Sequence, residues 1–340
     1  MRRVLLAVCS MTLLSSTAQA ADKWALLIGV GDYIHGTRLD LKGPPNDVQM
    51  FRELLLTKYG FEATKIRTLV DAHATKANII SALEDVGSKA KEGDTVFIYY
   101  SGHGSQVPDR NGDEEDGRDE VLCPADVRPG VPGAEITDDE LNRLFLRIQA
   151  TDITVVLDAC HAGTGTRNLS FEERATPRPL EHRVIDLGYP EPEGGTRTIS
   201  FEESEPDGME LFTWGELSDA GAAPEEGGRQ FTMIASCAPS ETSASTTFYE
   251  GITRFWSGVF TYNLVQALKK ADDETTYEEL MAGVLRDVKK INRGQTPQVE
   301  GAGARPVFSN TSSGVSSRSY VRVTALRGDL VEQRPNSYAE

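Results

Sequence analysis

Long hydrophobic runs, positive charge, cysteine and repeats are all scarce in this chain. The apolar stretch Val4–Leu14 is too short to span a bilayer. Against 52 Asp and Glu there are only 35 Lys and Arg, leaving a net charge of −17. That deficit argues against nucleic-acid binding and favours basic substrates or cations. No internal repeat or heptad is present, and cysteines number four. What remains is 340 residues, 39% of them hydrophobic, which suits one large or two small globular domains rather than a disordered or membrane protein.

Met1–Ala20 reads as a processing segment. Arg2 and Arg3 give a basic start, Val4–Leu14 an apolar middle, and Ala18-Gln19-Ala20 an A-x-A cleavage site. A Sec-type signal peptide is expected, and with it a bacterial periplasmic or secreted protein without stable membrane association. Cleavage removes Cys9 and leaves Cys123, Cys160 and Cys237. An odd count in an oxidising compartment leaves at least one free thiol, and arithmetic alone permits a Cys123–Cys237 bridge.

Strand and helix signals alternate along the chain. Trp24–Val30, Ile66–Val70 and Thr95–Tyr100 are apolar, β-branched runs; between them lie helical patterns over Val48–Tyr59, capped by Asn46 or Asp47, and from Thr75 through Lys89. Ser105–Asp126 is a polar, acidic loop, with a short hairpin strand at Glu120–Cys123. Thr137 or Asp138 starts a helix through Arg147, and the strand Thr154–Leu157 follows. Arg167–Arg229, rich in Glu, Pro, Gly and Arg, shows no sustained period; a tract of that length is usually functional or disordered. Order returns with a strand at Phe231–Cys237, a hairpin over Thr246–Thr253 and helices at Gly258–Lys270 and Tyr277–Asn292. The loop Gln295–Phe308 ends in a short strand, and the tail after Gly328 frays. This alternation predicts an α/β fold with a parallel sheet and right-handed crossovers.

Two strand ends carry the chemistry. Thr95–Gly104 (TVFIYYSGHG) ends in His103, and Thr154–Gly163 (TVVLDACHAG) ends in Cys160 flanked by small residues. Parallel neighbours would put both at one sheet edge, where open α/β sheets bind ligands. A Cys–His nucleophilic dyad needs that arrangement. Taken singly, Cys160 also reads as a small buried hydrophobe and His103 as a core filler; the paired design favours catalysis. His161 is the rival base, although neighbouring side chains usually point apart.

Tyr100-Ser101-Gly102-His103-Gly104 and Asp158-Ala159-Cys160-His161-Ala162-Gly163 resemble the His and Cys motifs of caspase-like cysteine peptidases (peptidase C14), specifically the metacaspase branch, from about Lys23 to Phe308. The resemblance implies a caspase-like three-layer α/β/α sandwich with a mostly parallel central sheet. It divides the chain into a signal peptide (1–20), a p20-like catalytic part (21–166), a flexible linker (167–229), a p10-like part completing the sheet (230–310) and a C-terminal extension (311–340). Gly258-Val259-Phe260-Thr261 and Gln295-Thr296-Pro297-Gln298 resemble p10 motifs.

The implied activity is cleavage after Arg or Lys by Cys160 as nucleophile and His103 as general base and acid, with the amides of Gly104 and Cys160 as oxyanion donors. Asp158, Asp47 and Ser101 match the family's basic-residue pocket, although Pro44 stands where the family commonly has Cys. Asp47 also reads as a plain helix N-cap. Two carboxylates facing one guanidinium would favour Arg over Lys.

Asp119, Asp138 and Asp139 match acidic ligands of the family's calcium site, whereas Arg167 stands where a fourth acid is expected. Asp109, Asn111, Asp113 and Glu120 follow EF-hand spacing, but Glu114 replaces the required glycine. The linker offers Arg167, Arg174, Arg178, Arg183, Arg197 and Arg229 as self-cleavage sites. By the same likeness a monomer acting on proteins or peptides with basic residues is expected, with Ca2+ as the one candidate cofactor. Two other functions remain: a catalytically silent caspase-like scaffold binding proteins or peptides, and a calcium-binding secreted module with a structural Cys160.

Overall fold

The structure, a computed structural model, describes residues 21–109, 117–160, 179–189, 229–238 and 241–308. The expected leader at Met1–Ala20, His161, Arg167, Asn111, Asp113 and the expected extension 311–340 fall outside the described residues.

Twelve strands and five α-helices are described. The strands are β1 (Lys23–Gly29), β2 (Ile66–Val70), β3 (Thr95–Ser101), β4 (Gly104–Pro108), β5 (Arg118–Leu122), β6 (Ile136–Thr137), β7 (Asp152–Asp158), β8 (Glu181–His182), β9 (Gln230–Ala235), β10 (Ala244–Glu250), β11 (Thr253–Gly258) and β12 (Gln298–Gly301). The helices are α1 (Pro44–Thr57), α2 (Lys76–Lys89), α3 (Asp138–Leu146), α4 (Val259–Lys270) and α5 (Tyr277–Ile291).

Six strands form the central sheet in the order β12-β9-β7-β3-β1-β2, parallel throughout except for β12 at one edge. The continuous apolar runs are explained by burial on both faces. Leu26, Ile28, Val96, Ile98, Val155 and Leu157 face a core shared with α2 and α3. Their neighbours Ala25, Leu27, Phe97, Tyr99 and Val156 face the opposite core, filled by α1, α4 and α5. The α/β/α sandwich expected from the sequence is therefore present. Thr137 and Thr276 cap α3 and α5 through reciprocal capping boxes with Glu140 and Glu279.

Three readings of the sequence are revised, and one open alternative is closed. Helix α1 starts at Pro44, with Gly43 as N-cap, because prolines at the first helical positions have preset φ and lack an N–H that would go unused there. Asp47 consequently lies inside the first turn, and the N-cap reading of Asn46 or Asp47 falls. The acidic loop contains β4, which pairs with β5 in a small antiparallel sheet completed by β6. Ser105 and Gln106 hide it by breaking the apolar pattern. Residues 179–189 of the linker are ordered: β8 joins the β10–β11 hairpin, and Arg183 is completely buried. Finally, Cys123, Cys160 and Cys237 are all free thiols, so no Cys123–Cys237 bridge forms.

Candidate active site

Strands β3 and β7 are in register from Thr95↔Asp152 to Ser101↔Asp158. His103 and Cys160 each follow two residues after that last pair, at the same sheet edge. Between them Gly104 is packed so tightly that a Cβ would collide with the carbonyl of Cys160. Close approach of backbone to backbone is what requires glycine there.

A carbonyl from the linker joins the two strand ends. The Arg183 oxygen accepts from the Gly104 amide at 3.1 Å and from the Cys160 amide at 3.4 Å. The Arg183 amide donates to the Ser243 carbonyl at 3.0 Å. Upstream, His182 and Glu181 pair with Ala244 and Ser245 of β10. Residues 181–183 thus lie across the site as an added strand, with one carbonyl seated on two convergent amides.

The Arg183 side chain fills a closed, charged pocket. Its Nη2 meets Asp47 Oδ2 at 2.7 Å, and its Nη1 meets Asp158 Oδ2 at 3.2 Å; none of these side chains is exposed. Nη1 also donates to Ser101 Oγ at 2.6 Å and to the Asp158 carbonyl at 2.9 Å. Ser245 Oγ accepts from Nε at 3.1 Å and from Nη2 at 2.9 Å.

The carboxylates are held in turn. Asp47 accepts from Ser101 Oγ, Ser257 Oγ and the Gly258 amide. Asp158 accepts from Ser243 Oγ at 2.6 Å and Thr261 Oγ1 at 2.5 Å. A Cβ at Gly258 would strike the Asp158 carboxylate, so the first residue ahead of α4 must be glycine for the pocket to close.

Electrostatics match this geometry. Burial alone would lower the Arg183 pKa, but Asp158 and Asp47 reverse that and raise it. Burial and the Asp158 charge hold Asp47 above the usual carboxylate range, although Arg183 pulls it down. Without the guanidinium, two buried carboxylates would face each other with no counter-charge, so the pocket is built to take a cation.

His103 is 5% exposed and its ring is fixed by the backbone. Nε2–H donates to the Leu39 carbonyl at 2.8 Å, which leaves Nδ1 as the basic nitrogen of the neutral ring. Nδ1 has no hydrogen-bond partner among the described residues. Burial lowers the pKa to about 4, against the pull of the Leu39 and Arg183 backbones. The main chain is clamped too: the His103 amide donates to Tyr33 Oη at 2.9 Å, and Tyr100 Oη donates to the His103 carbonyl at 2.8 Å.

Cys160 is fully buried beneath the linker strand. Its Sγ accepts from the Ser243 amide at 2.5 Å and donates to the Ser243 carbonyl at 3.3 Å. The neighbouring Cys160 thiol and burial push the Cys237 thiol up.

The six candidates read from the sequence at this edge, His103, Gly104, Cys160, Asp47, Ser101 and Asp158, are brought together. Sequence reasoning missed Ser243, Ser245, Ser257, Gly258 and Thr261 as pocket walls, and Tyr33, Leu39 and Tyr100 as the histidine clamp. A run of small hydroxyl residues beside β10 was the available signal.

The acidic candidates are not gathered in the same way. Asp119 on β5 and Asp138 at the start of α3 are buried, and Asp139 is half-buried. Among the described residues no group of three or more His, Cys, Asp or Glu side chains is arranged to hold a metal ion. Calcium takes six to eight oxygens; Asn111, Asp113 and Arg167 lie outside the described residues, and no step below uses a cation.

The chain belongs to the caspase-domain family, peptidase C14, whose family model matches residues 22–308. Metacaspase-6 of Arabidopsis thaliana is 38% identical over 148 residues, covering 42% of this chain and 38% of that protein. Metacaspase-1B of Aspergillus fumigatus is 29% identical over 286 residues, covering 76% of this chain and 65% of that protein. Several curated relatives are thus matched over about two-fifths of their length. In fold, the crystal structure of protein GSU0716 from Geobacter sulfurreducens is similar, with a TM-score of 0.56 and 22% identity over 83% of this chain and 94% of that one.

Proposed function

We propose that the protein is a cysteine endopeptidase that cuts after arginine, with lysine second, and that it processes itself at Arg183–Val184. One observation carries this reading: the chain's own Arg183 lies in the pocket as a substrate would, with its carbonyl oxygen between the Gly104 and Cys160 amides.

The chemistry follows from the placements. The Cys160 sulfur attacks the Arg183 carbonyl carbon, and the negative charge that develops on oxygen is held by the two amides, each donor supplying about a hundredfold in rate. His103 Nδ1 takes the thiol proton and delivers it to the Val184 nitrogen as the C–N bond breaks. The acyl group then sits on sulfur as a thioester. Water, activated by the same nitrogen, hydrolyses it to the Arg183 carboxylate and restores the thiol. Lysine offers one ammonium where arginine satisfies Asp47, Asp158, Ser101 and Ser245 together, so arginine is preferred.

Met1–Ala20 supports a secreted or periplasmic setting for this chemistry, and a monomer suffices, since every group invoked lies on one chain. The test is hydrolysis of a Leu-Glu-His-Arg aminomethylcoumarin peptide and its lysine counterpart. Release of the fluorophore by wild type and not by Cys160→Ala supports the reading. A chain that binds the peptide but never cleaves it would instead be a silent scaffold.

A further inference from the structure

Downstream of Arg183 the segment runs beside the start of β4, outside any regular strand. Val184 bridges in parallel to Gly104. The Ile185 amide donates to the Gly104 carbonyl at 3.3 Å, and the Gly130 amide donates to the Leu187 carbonyl at 2.7 Å. Ser105 Oγ donates to the Ile185 carbonyl at 2.7 Å.

Burial alternates with the strand period. Ile185 is 6% and Leu187 1% exposed, both within the core that also holds Val107 and Val121, whereas Asp186 and Gly188 face solvent. On the upstream side, by contrast, Leu180, Glu181 and His182 are only half-buried and Pro179 is exposed. Apart from Arg183 itself, the deepest side-chain burial of the segment lies beyond the scissile bond. Strand addition works in this manner: main-chain hydrogen bonds supply affinity, and pockets for alternate side chains supply specificity.

We propose that the groove along β4 is a substrate site for the residues after the cut, selecting aliphatic side chains at the second and fourth positions beyond the scissile bond. The proposal rests on Arg183 marking the cleavage position. The favoured substrate is an extended Arg-x-aliphatic-x-aliphatic segment, and arginine amides that end at the leaving group bypass this selection.

The test needs a groove free of the chain's own strand. The Arg183→Ala/Ile185→Ser/Leu187→Ser variant supplies it, because the segment then loses its cationic anchor and both aliphatic ones. Two internally quenched peptides are compared, Leu-Glu-His-Arg-Val-Ile-Asp-Leu-Gly-Tyr and the same sequence with Ser in place of Ile and Leu, alongside the coumarin peptide.

The expected kcat/KM is at least about tenfold higher for the aliphatic peptide, as burial of two such side chains implies. Equal values within twofold, with the coumarin peptide still cleaved, overturn the proposal and leave the peptidase reading standing. Cleavage of none of the three overturns both. Should circular dichroism show the triple variant unfolded, Ile185→Ser and Leu187→Ser in the Arg183→Ala background each serve as host for the peptide bearing the matching single change. The same criteria then apply to that pair of positions.

Discussion

Arg183 Nη2 lies 2.7 Å from Asp47 Oδ2, and neither side chain has any exposed surface. A linker residue and the first turn of a helix far upstream are thereby joined inside the molecule. On the proposed reading, the pocket's preference and the chain's latency have one cause, since the group that reports the specificity also blocks the site.

Pocket carboxylates are the first place to test this. Asp158→Asn turns one acceptor oxygen into an amide donor facing the Ser243 or Thr261 hydroxyl, and it removes half of the negative charge. Breaking one partner of a buried pair costs about 2–5 kcal/mol, so kcat/KM for the Arg peptide should fall about a hundredfold. Asp47→Asn should do the same. Steady-state assays of both variants, with melting curves to confirm folding, check this; a loss under threefold would count against the pocket assignment.

Latency predicts a change in thiol access. Cys160 has no exposed surface in the presence of the linker strand. Arg183→Ala removes the anchor, so iodoacetamide should label Cys160 at least about tenfold faster than in the parent chain, in proportion to the population of the open state. Labelling followed by peptide mapping measures it against Cys123 and Cys237. An unchanged rate would mean that something other than the Arg183 strand covers the sulfur.

The histidine gives the pH dependence. In the folded chain burial depresses His103 from 6.5 to about 4. Between those values the unfolded chain binds more protons, so stability falls on acidification, by up to about 1.4 kcal/mol per pH unit. Asp47, whose pKa burial raises, acts in the opposite sense, since protonation relieves its cost. The difference in unfolding free energy between Cys160→Ala and Cys160→Ala/His103→Gln isolates the histidine. That difference should shrink from pH 6.5 to pH 4; a flat difference would show that His103 is not held neutral by burial.

The histidine clamp makes a structural prediction. Tyr33→Phe leaves the buried His103 amide without its acceptor, a cost of about 1–3 kcal/mol. Urea unfolding of Cys160→Ala with and without Tyr33→Phe measures it, and kcat of the active parent should drop with it. An unaltered midpoint would show that the hydrogen bond contributes little.

Much of this was legible in the residues. The central strands announced themselves by apolar runs, because burial on both faces leaves no polar alternation. His103 and Cys160 stood out as two similar strand ends with glycine nearby. Asp47 was harder: its N-cap reading was locally sound, and only Pro44 at the first helical position pointed to an earlier start. Strand β4 was hidden by Ser105 and Gln106, whose partners lie across the sheet on β5.

Arg183 was one of six linker arginines, and composition could not rank them. What singles it out is the period of two in Arg183, Ile185 and Leu187, a strand signal inside a tract dominated by Glu, Pro and Gly. Its direct side-chain partners come from four separate stretches of chain, Asp47, Ser101, Asp158 and Ser245, and no local pattern encodes their convergence.

The most direct measurement is intact-mass spectrometry with N-terminal sequencing of wild type and Cys160→Ala after purification. The account predicts two wild-type fragments, one ending at Arg183 and one beginning at Val184, and an uncut Cys160→Ala chain. An uncleaved wild type that also fails on the Arg peptide, or a Cys160→Ala chain cut at the same bond, would contradict it.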